Sequence, residues 1–240
     1  MLDRLAIVIP TYNEKQNIAD LIPILLEKHP TARIYVVDDN SPDGTAEIVQ
    51  KFASQFENVR LIFRNQKDGI ATAYLDAFAR IIVDNAINFI LTMDSDFSHH
   101  PDDIPKLLRY AQSHDLVIGS RYVPGGSVVN WDVSRRLLSR SANRYAKFIT
   151  NVPINDLTAG FVLYGREILA RVLLQEKIKS NAYGYQIEMK YLAHKNNARI
   201  KEVPITFRKQ NSSVSKFGRQ SIWEGITIPW DLRLRDKLKK

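Results

Sequence analysis

The sequence predicts an α/β fold, a mostly parallel central sheet with helices on both faces, and two observations predict it. Short β-branched runs alternate with stretches of helical periodicity through the first half of the chain, the pattern of successive βαβ units. Polar clusters close three of those runs, as at the carboxyl edge of an open sheet, where such folds hold ligands.

Residues 5–9 read as a first strand, the segment Ile18 to Glu27 as a helix and residues 34–38 as a second strand, a βαβ opening. A helix from Thr45 to Gln55, a strand Val59–Phe63, a helix Ile70–Asp84 and a strand Phe89–Met93 follow. Pro101 with Asp102 and Asp103 fits the first turn of a helix, where a missing N–H costs nothing, and a strand Asp115–Gly119 comes next. After Gly125-Gly126 the alternation loosens into a helix Val133–Thr150, a strand Phe161–Tyr164, helices at 166–174 and 184–196, a strand Ile200–Arg208 and a last helix near 219–235. Gln210–Gly218, rich in Ser and Lys, reads as a mobile loop.

At 240 residues and 45% apolar content the chain is expected to form one domain over 1–240, and the βαβ alternation of 1–120 reads as its nucleotide-binding half. The absence of cysteine excludes disulfides, thiolate zinc and cysteine nucleophiles. The start, MLDRLAIVIPTYNE, reads as a strand rather than a signal peptide, and no segment approaches the roughly 18 apolar residues of a membrane span. The net charge of +8 conceals an asymmetry, with 12 basic against 17 acidic residues over 1–130 and 22 against 9 over 131–240. A basic half calls for an anionic partner, whether nucleic acid, a membrane surface or a phosphorylated substrate.

Asp94-Ser95-Asp96 follows the strand Phe89–Met93, presenting two carboxylates two residues apart. The pair reads either as solvated acids at a strand end or as hard oxygen donors for Mg²⁺ or Mn²⁺ shared with a substrate pyrophosphate. Pro10-Thr11-Tyr12-Asn13-Glu14 and Asp38-Asp39-Asn40-Ser41 close the first two strands, each as a capped turn singly and as a nucleoside pocket jointly, with Tyr12 able to stack on a base. No phosphate-cradling glycine loop of the Walker or dinucleotide type is present, so phosphate falls to metal and cations. Arg121, at a strand end, aims at the same edge or forms a surface ion pair; Arg136, Arg140, Arg144 and Lys147 make a cationic helix stripe for an anionic membrane surface or for solvent. His99 and His100 stand beside the acids, either as ligands or as residues of a helix start, and Tyr183, Tyr185, Trp223 and Trp230 read as core or interfacial residues.

The segments IVIPTYNE, VVDDNSPDGT, MDSDFSHHP, GSRY, WDVSRRLLSRSAN, DLTAGF, YQIE and EVPITF, in this order over about residues 5–218, closely resemble the dolichyl-phosphate (polyprenol-phosphate) mannose synthases of glycosyltransferase family 2. The resemblance implies a GT-A nucleotide-sugar transferase fold and inverting transfer of mannose from GDP-mannose to dolichyl or another polyprenyl phosphate, giving the β-linked lipid phosphate mannose. It also implies nucleotide-sugar contacts at Pro10, Tyr12, Glu14, Val37, Asp39, Asp94, Ser95, Asp96 and a loop Lys216. Metal ligands would be Asp96 and Ser98, and acceptor-phosphate contacts Arg121, Arg135 and Ser139, with Asp96, Arg121 and Arg135 the catalytic set. The chain departs from the pattern at Gln210, where an arginine is usual, at Ser213 with Val214 before the loop lysine, and at Ala71, where a glycine is usual.

A phosphate acceptor needs no general base, and the Q-x-x-R-W segment of polymerising relatives is absent, which favours a single transfer. Three functions stay open at this point: that mannosyl transfer, a related transferase using UDP-glucose or another donor, and a non-catalytic nucleotide- or membrane-binding subunit. The expected setting is cytoplasmic and peripheral to the cytoplasmic face of a membrane, without nucleic acid, and compatible with a separate membrane-anchoring subunit.

Overall fold

In the computed structural model, which describes residues 4–175, 177–182, 184–208 and 219–238, seven strands form one sheet. In chain order these are β1 (Leu5–Thr11), β2 (Arg33–Asp38), β3 (Val59–Phe63), β4 (Phe89–Thr92), β5 (Leu116–Ser120), β7 (Val162–Gly165) and β8 (Ile200–Pro204). Their spatial order is β3-β2-β1-β4-β7-β5-β8. All neighbours run parallel except β7, which is antiparallel to both β4 and β5.

Side chains of a strand alternate between faces, and β1 shows why this sheet needs cover on both. Ala6 and Val8 enter one core with Tyr74, Ala77 and Phe78 of α3 (Ile70–Ile81) and residues of α6 (Arg166–Gln175) and α7 (Gly184–Lys195). Leu5, Ile7 and Ile9 enter the other with Ile18, Leu21, Ile22 and Leu25 of α1 (Lys15–Lys28), Val49 of α2 (Thr45–Ala53) and Leu107 of α4 (Ile104–Leu108). Each of the Val, Leu, Ile and Phe side chains among them contributes about 1.5–3 kcal/mol when fully buried.

The stretch read as one strand, Ile200–Arg208, is two. β8 ends at Pro204, and after Ile205 the chain forms β9 (Thr206–Arg208), which pairs in parallel with β6 (Ser127–Val129) as a separate two-stranded sheet. Proline has no N–H to donate, so it suits the place where the chain leaves the larger sheet. A long helix α5 (Val133–Thr150) begins on an Asp132 cap that accepts the Arg135 N–H at 2.7 Å, and it packs against α8 (Arg219–Leu238). Among the described residues no helix is long and apolar enough to cross a membrane.

Candidate active site

β1 has parallel neighbours on both sides, β2 and β4, reached by connections that leave in opposite directions. That reversal opens a crevice beyond the carboxyl ends of β1 and β4, where Tyr12 and Asp94 follow their strands.

The β1 and β2 ends are tied from within. Thr11 Oγ1 donates to Asp38 Oδ1 at 3.0 Å, and Ser41 donates to the same carboxylate through its N–H at 2.9 Å and its hydroxyl at 2.6 Å. Asp38 is fully buried and acts as the knot of the edge. Asp39 stands next to it, paired with Arg64 Nη1 at 2.7 Å. Burial pushes the Asp39 carboxyl up, against the pull of the Arg64 charge. Lys67 Nζ lies 3.8 Å from the Tyr12 ring centroid, so one face of that ring holds a cation. Pro10 is half-buried opposite Val37, whose side chain is wholly in the core, and Glu14 Oε2 accepts the Asn17 amide at 2.6 Å.

At the β4 end, Asp96 Oδ1 accepts both the Ser98 N–H (3.1 Å) and the Ser98 hydroxyl (2.6 Å), and Oδ2 takes neither bond. Ser95 and Ser98 are buried. The Asp94 N–H donates to His99 Nδ1 at 3.0 Å. Burial lowers the His99 pKa to about 4, so the ring is neutral with its proton on Nε2. His99 therefore props the Asp94 backbone, while the exposed His100 accepts from the Asp102 N–H at 3.3 Å as the cap of the 3₁₀ turn Pro101–Asp103. Gly160 allows this packing, because a Cβ there would lie 3.3 Å from the His99 ring and 3.9 Å from an Asp94 oxygen.

From His99 an aromatic wall runs into the basic half of the chain. His99 stacks on Phe161 (5.1 Å between centroids) and meets the edge of Phe207 (5.5 Å), which meets Trp131 (5.5 Å). The Arg135 guanidinium lies 4.6 Å from the Trp131 ring centroid and that of Arg121 5.7 Å. Sequence positions 94, 121 and 135 are thus brought to one side of the molecule.

Arg121 differs in detail from an arginine with an open fork. Its Nε and Nη2 grip Asp156 at 2.8 and 2.6 Å, and Nη2 also reaches Thr158 Oγ1 at 2.8 Å. Burial alone would lower the Arg121 pKa, but the Asp156 charge and hydrogen bonds reverse this and raise it; burial would likewise raise Asp156, and Arg121 holds it down. Ser139 Oγ accepts the Tyr122 hydroxyl at 2.7 Å. Arg135 makes no ion pair with a carboxylate among the described residues, so of the three acceptor-side positions its charge is the one not already matched.

Sequence reasoning missed Asp156, Asn143 and Lys190. Asn143 holds Thr158 through its N–H (3.1 Å) and hydroxyl (2.9 Å), and Lys190 Nζ, fully buried, donates to Ala159 O at 2.7 Å and to Gln186 Oε1 at 3.1 Å. Asp156 and Asn143 lie in segments that carry the family resemblance, DLTAGF and WDVSRRLLSRSAN, but nothing there assigned them a partner, and a lysine on a helix reads as exposed. Lys216, Gln210, Ser213, Val214 and Tyr183 lie outside the described residues. Ala71 is buried with its N–H on Asn181 O, and Tyr185 is core, whereas Trp223 and Trp230 are exposed.

No group of three or more His, Cys, Asp or Glu fit to hold a metal occurs among the described residues. The donor set nevertheless suits a hard divalent ion, because Mg²⁺ is bound through one or two carboxylates plus substrate phosphates rather than by an all-protein cage. Asp96, steadied at one oxygen by Ser98, with Asp94 beside it, meets that description.

The model of glycosyl transferase family 2 matches residues 6–173. The chain is 37% identical over 236 residues to the polyprenol monophosphomannose synthase of Mycolicibacterium smegmatis, covering 97% of this chain and 88% of that one. It is 35% identical over 234 residues to the undecaprenyl-phosphate mannosyltransferase of Micrococcus luteus, covering 97% and 96%. Among solved structures it superposes on glucosyl-3-phosphoglycerate synthase from Mycobacterium tuberculosis, in complex with Mn²⁺, UDP-glucose and phosphoglyceric acid, with a TM-score of 0.64, 17% identity and coverage of 94% and 79%. It also superposes on a Pyrobaculum calidifontis mannosyltransferase in complex with GDP-Man and Mn²⁺, with a TM-score of 0.60, 14% identity and coverage of 99% and 64%. At those identities the structures speak for the GT-A fold alone. With the sheet, the switch-point carboxylates and these relatives taken together, the chain belongs to glycosyl transferase family 2 as a glycosyltransferase of the polyprenol-phosphate mannose synthase group.

Proposed function

We propose that this protein transfers mannose from GDP-mannose to dolichyl or another polyprenyl phosphate, with inversion at the anomeric carbon and with Mg²⁺ or Mn²⁺ as cofactor. Residues 1–120 supply the donor half and 121–240 the acceptor half, and the protein works as a peripheral protein on the cytoplasmic face of a membrane. The observation that carries this reading is the aromatic wall from His99 through Phe207 and Trp131, which joins the Asp94 and Asp96 edge to the cation of Arg135. Relatives named for polyprenol and undecaprenyl phosphate supply the acceptor class and the sugar.

The chemistry follows from the acceptor. A phosphomonoester, with a second pKa of about 6, is mostly dianionic at neutral pH and already nucleophilic. Its oxygen bonds to the anomeric carbon as the bond to the diphosphate breaks, and the electron pair leaves with GDP. No proton has to be removed, which agrees with a His99 locked as a neutral prop rather than poised as a base. Asp96, with Ser98 behind it, would hold a divalent ion, which when bound would offset the negative charge of the leaving diphosphate. Arg135 draws the lipid phosphate, and Arg121, its charge matched by Asp156, shapes the wall beside it. Tyr12, Asp39 and Glu14 border the nucleoside, with Lys67 over the tyrosine ring as a further cation.

A donor panel tests the reading: GDP-mannose, UDP-glucose and UDP-GlcNAc, each with polyprenyl phosphate, followed by extraction of lipid-linked sugar. Mannolipid from GDP-mannose is the expected product. A lipid product from a UDP-sugar alone would make the protein a related transferase with another donor, and none from any donor would make it a non-catalytic subunit.

A further inference from the structure

A cavity of about 430 Å³ lies between the loop after β5 and one side of α5, and its wall includes Tyr122, Arg140, Asn143, Arg144, Lys147 and Asn155. Among the described residues no Asp or Glu lines it, and neither do Tyr12, Asp39, Asp94 or Asp96. Arg121 also borders it, but Asp156 cancels that charge. The remaining cations sit at i, i+4 and i+7 on α5, one face of the helix, where like charges repel. Among the described residues none of the three pairs with a carboxylate. Lys147 Nζ is held by the neutral Asn155 Oδ1 at 2.7 Å, and the Arg140 guanidinium lies 5.9 Å from the Tyr122 ring centroid. A concave site with three such cations is built for an anion that the described residues do not provide.

The surroundings name the source of that anion. At about 100° per residue, Val133, Leu137 and Phe148 fall beside the cationic face of α5, within about 80° of Arg140, while Arg135 lies about 140° away around the helix. Those three apolar side chains are 79%, 64% and 84% exposed. α8, joined to α5 by the Tyr145 hydroxyl on Ile226 O at 3.0 Å, adds exposed Trp223 and Trp230. Apolar side chains next to arginines suit the boundary between acyl chains and headgroups, with indole rings at headgroup depth. We propose that the Arg140, Arg144 and Lys147 pocket holds the phosphate of an anionic membrane phospholipid, a lipid that is neither donor nor acceptor, while Val133, Leu137 and Phe148 enter the acyl region. The pocket goes beyond the catalytic reading, because none of its three cations is assigned to either substrate.

Both arginines are exposed, so Arg140→Gln/Arg144→Gln is expected to fold as the parent does. Flotation with vesicles of phosphatidylcholine, alone or mixed with phosphatidylglycerol, measures the effect. A lost cation at a lipid surface is worth about 1 kcal/mol, so the double variant should lose at least about tenfold in partitioning to the mixed vesicles. Lys51→Gln/Arg80→Gln, which removes the same charge from α2 and α3, should retain binding, and turnover with detergent-dispersed acceptor should be unchanged in both. Equal losses in the two variants would overturn the proposal in favour of diffuse charge. Two further results would also overturn it: a raised acceptor KM with vesicle binding intact assigns the pocket to the acceptor, and stabilisation by glycerol phosphate without preference for anionic vesicles assigns it to a soluble phosphate.

Discussion

Asp96 is set before any ligand arrives. Two donors from Ser98 fix one carboxylate oxygen, and the turn that makes this possible places Phe97 at a φ of +56°. Such a left-handed residue without glycine is uncommon and is held here by the bonds on either side of it. Asp96→Asn keeps the size and one acceptor but removes the charge, so turnover should fall by at least about a hundredfold with little change in melting temperature. Product formation and thermal unfolding of the same preparation check this. Lys190 lies deeper and acts on stability. Burial lowers its pKa from 10.5 to about 7, although three oxygen acceptors surround it. The folded value lies below the unfolded one, so between them the unfolded chain binds more protons and stability rises with pH. Between pH 7 and 9 the wild type should gain about 2 kcal/mol relative to Lys190→Met, measured by urea unfolding at both pH values. A parallel dependence in the two proteins would show that the lysine is not neutralised in the fold.

At the scale of elements, β5 is the strand that ties the donor edge to the basic half. Gly119 within it has no room for a side chain, since a Cβ would lie 2.6 Å from the Phe161 ring and 3.2 Å from Ile205. Phe161 in turn stacks on His99. Gly119→Ala should therefore cost about 1–3 kcal/mol through overpacking and should also weaken donor use by tilting His99; urea unfolding and donor KM read the two effects. The alternation of strands and helices up to β5 was legible because each βαβ unit is local in sequence. The second half was less so. β6 has only three residues and gains its place from β9, nearly eighty positions away, and the break between β8 and β9 sits inside a continuous Val-Pro-Ile-Thr-Phe run. The carboxylates of the edge were visible as strand-end clusters, whereas the Asp156 fork on Arg121 depends on a loop meeting a strand end and leaves no periodic trace.

For the molecule as a whole, the division of charge along the chain becomes a division of space. The acidic half ends in the edge of Asp39, Asp94 and Asp96, and the basic half supplies α5 with five cations against one acid over residues 131–150. A wall of rings and one buried ion pair links the two, carrying the Asp94 edge to Arg135 on one side of the molecule. That arrangement fits an acceptor that brings its own nucleophilic charge, and the buried His99 beside it is taken up by the Asp94 N–H. The most direct measurement compares polyprenyl phosphate with the corresponding polyprenol, using GDP-mannose labelled in the sugar, Mn²⁺ and the wild-type chain. The account predicts labelled lipid from the phosphate alone, with its rate falling as pH drops through about 6 and the acceptor becomes a monoanion; labelled lipid from the alcohol at a comparable rate would contradict it.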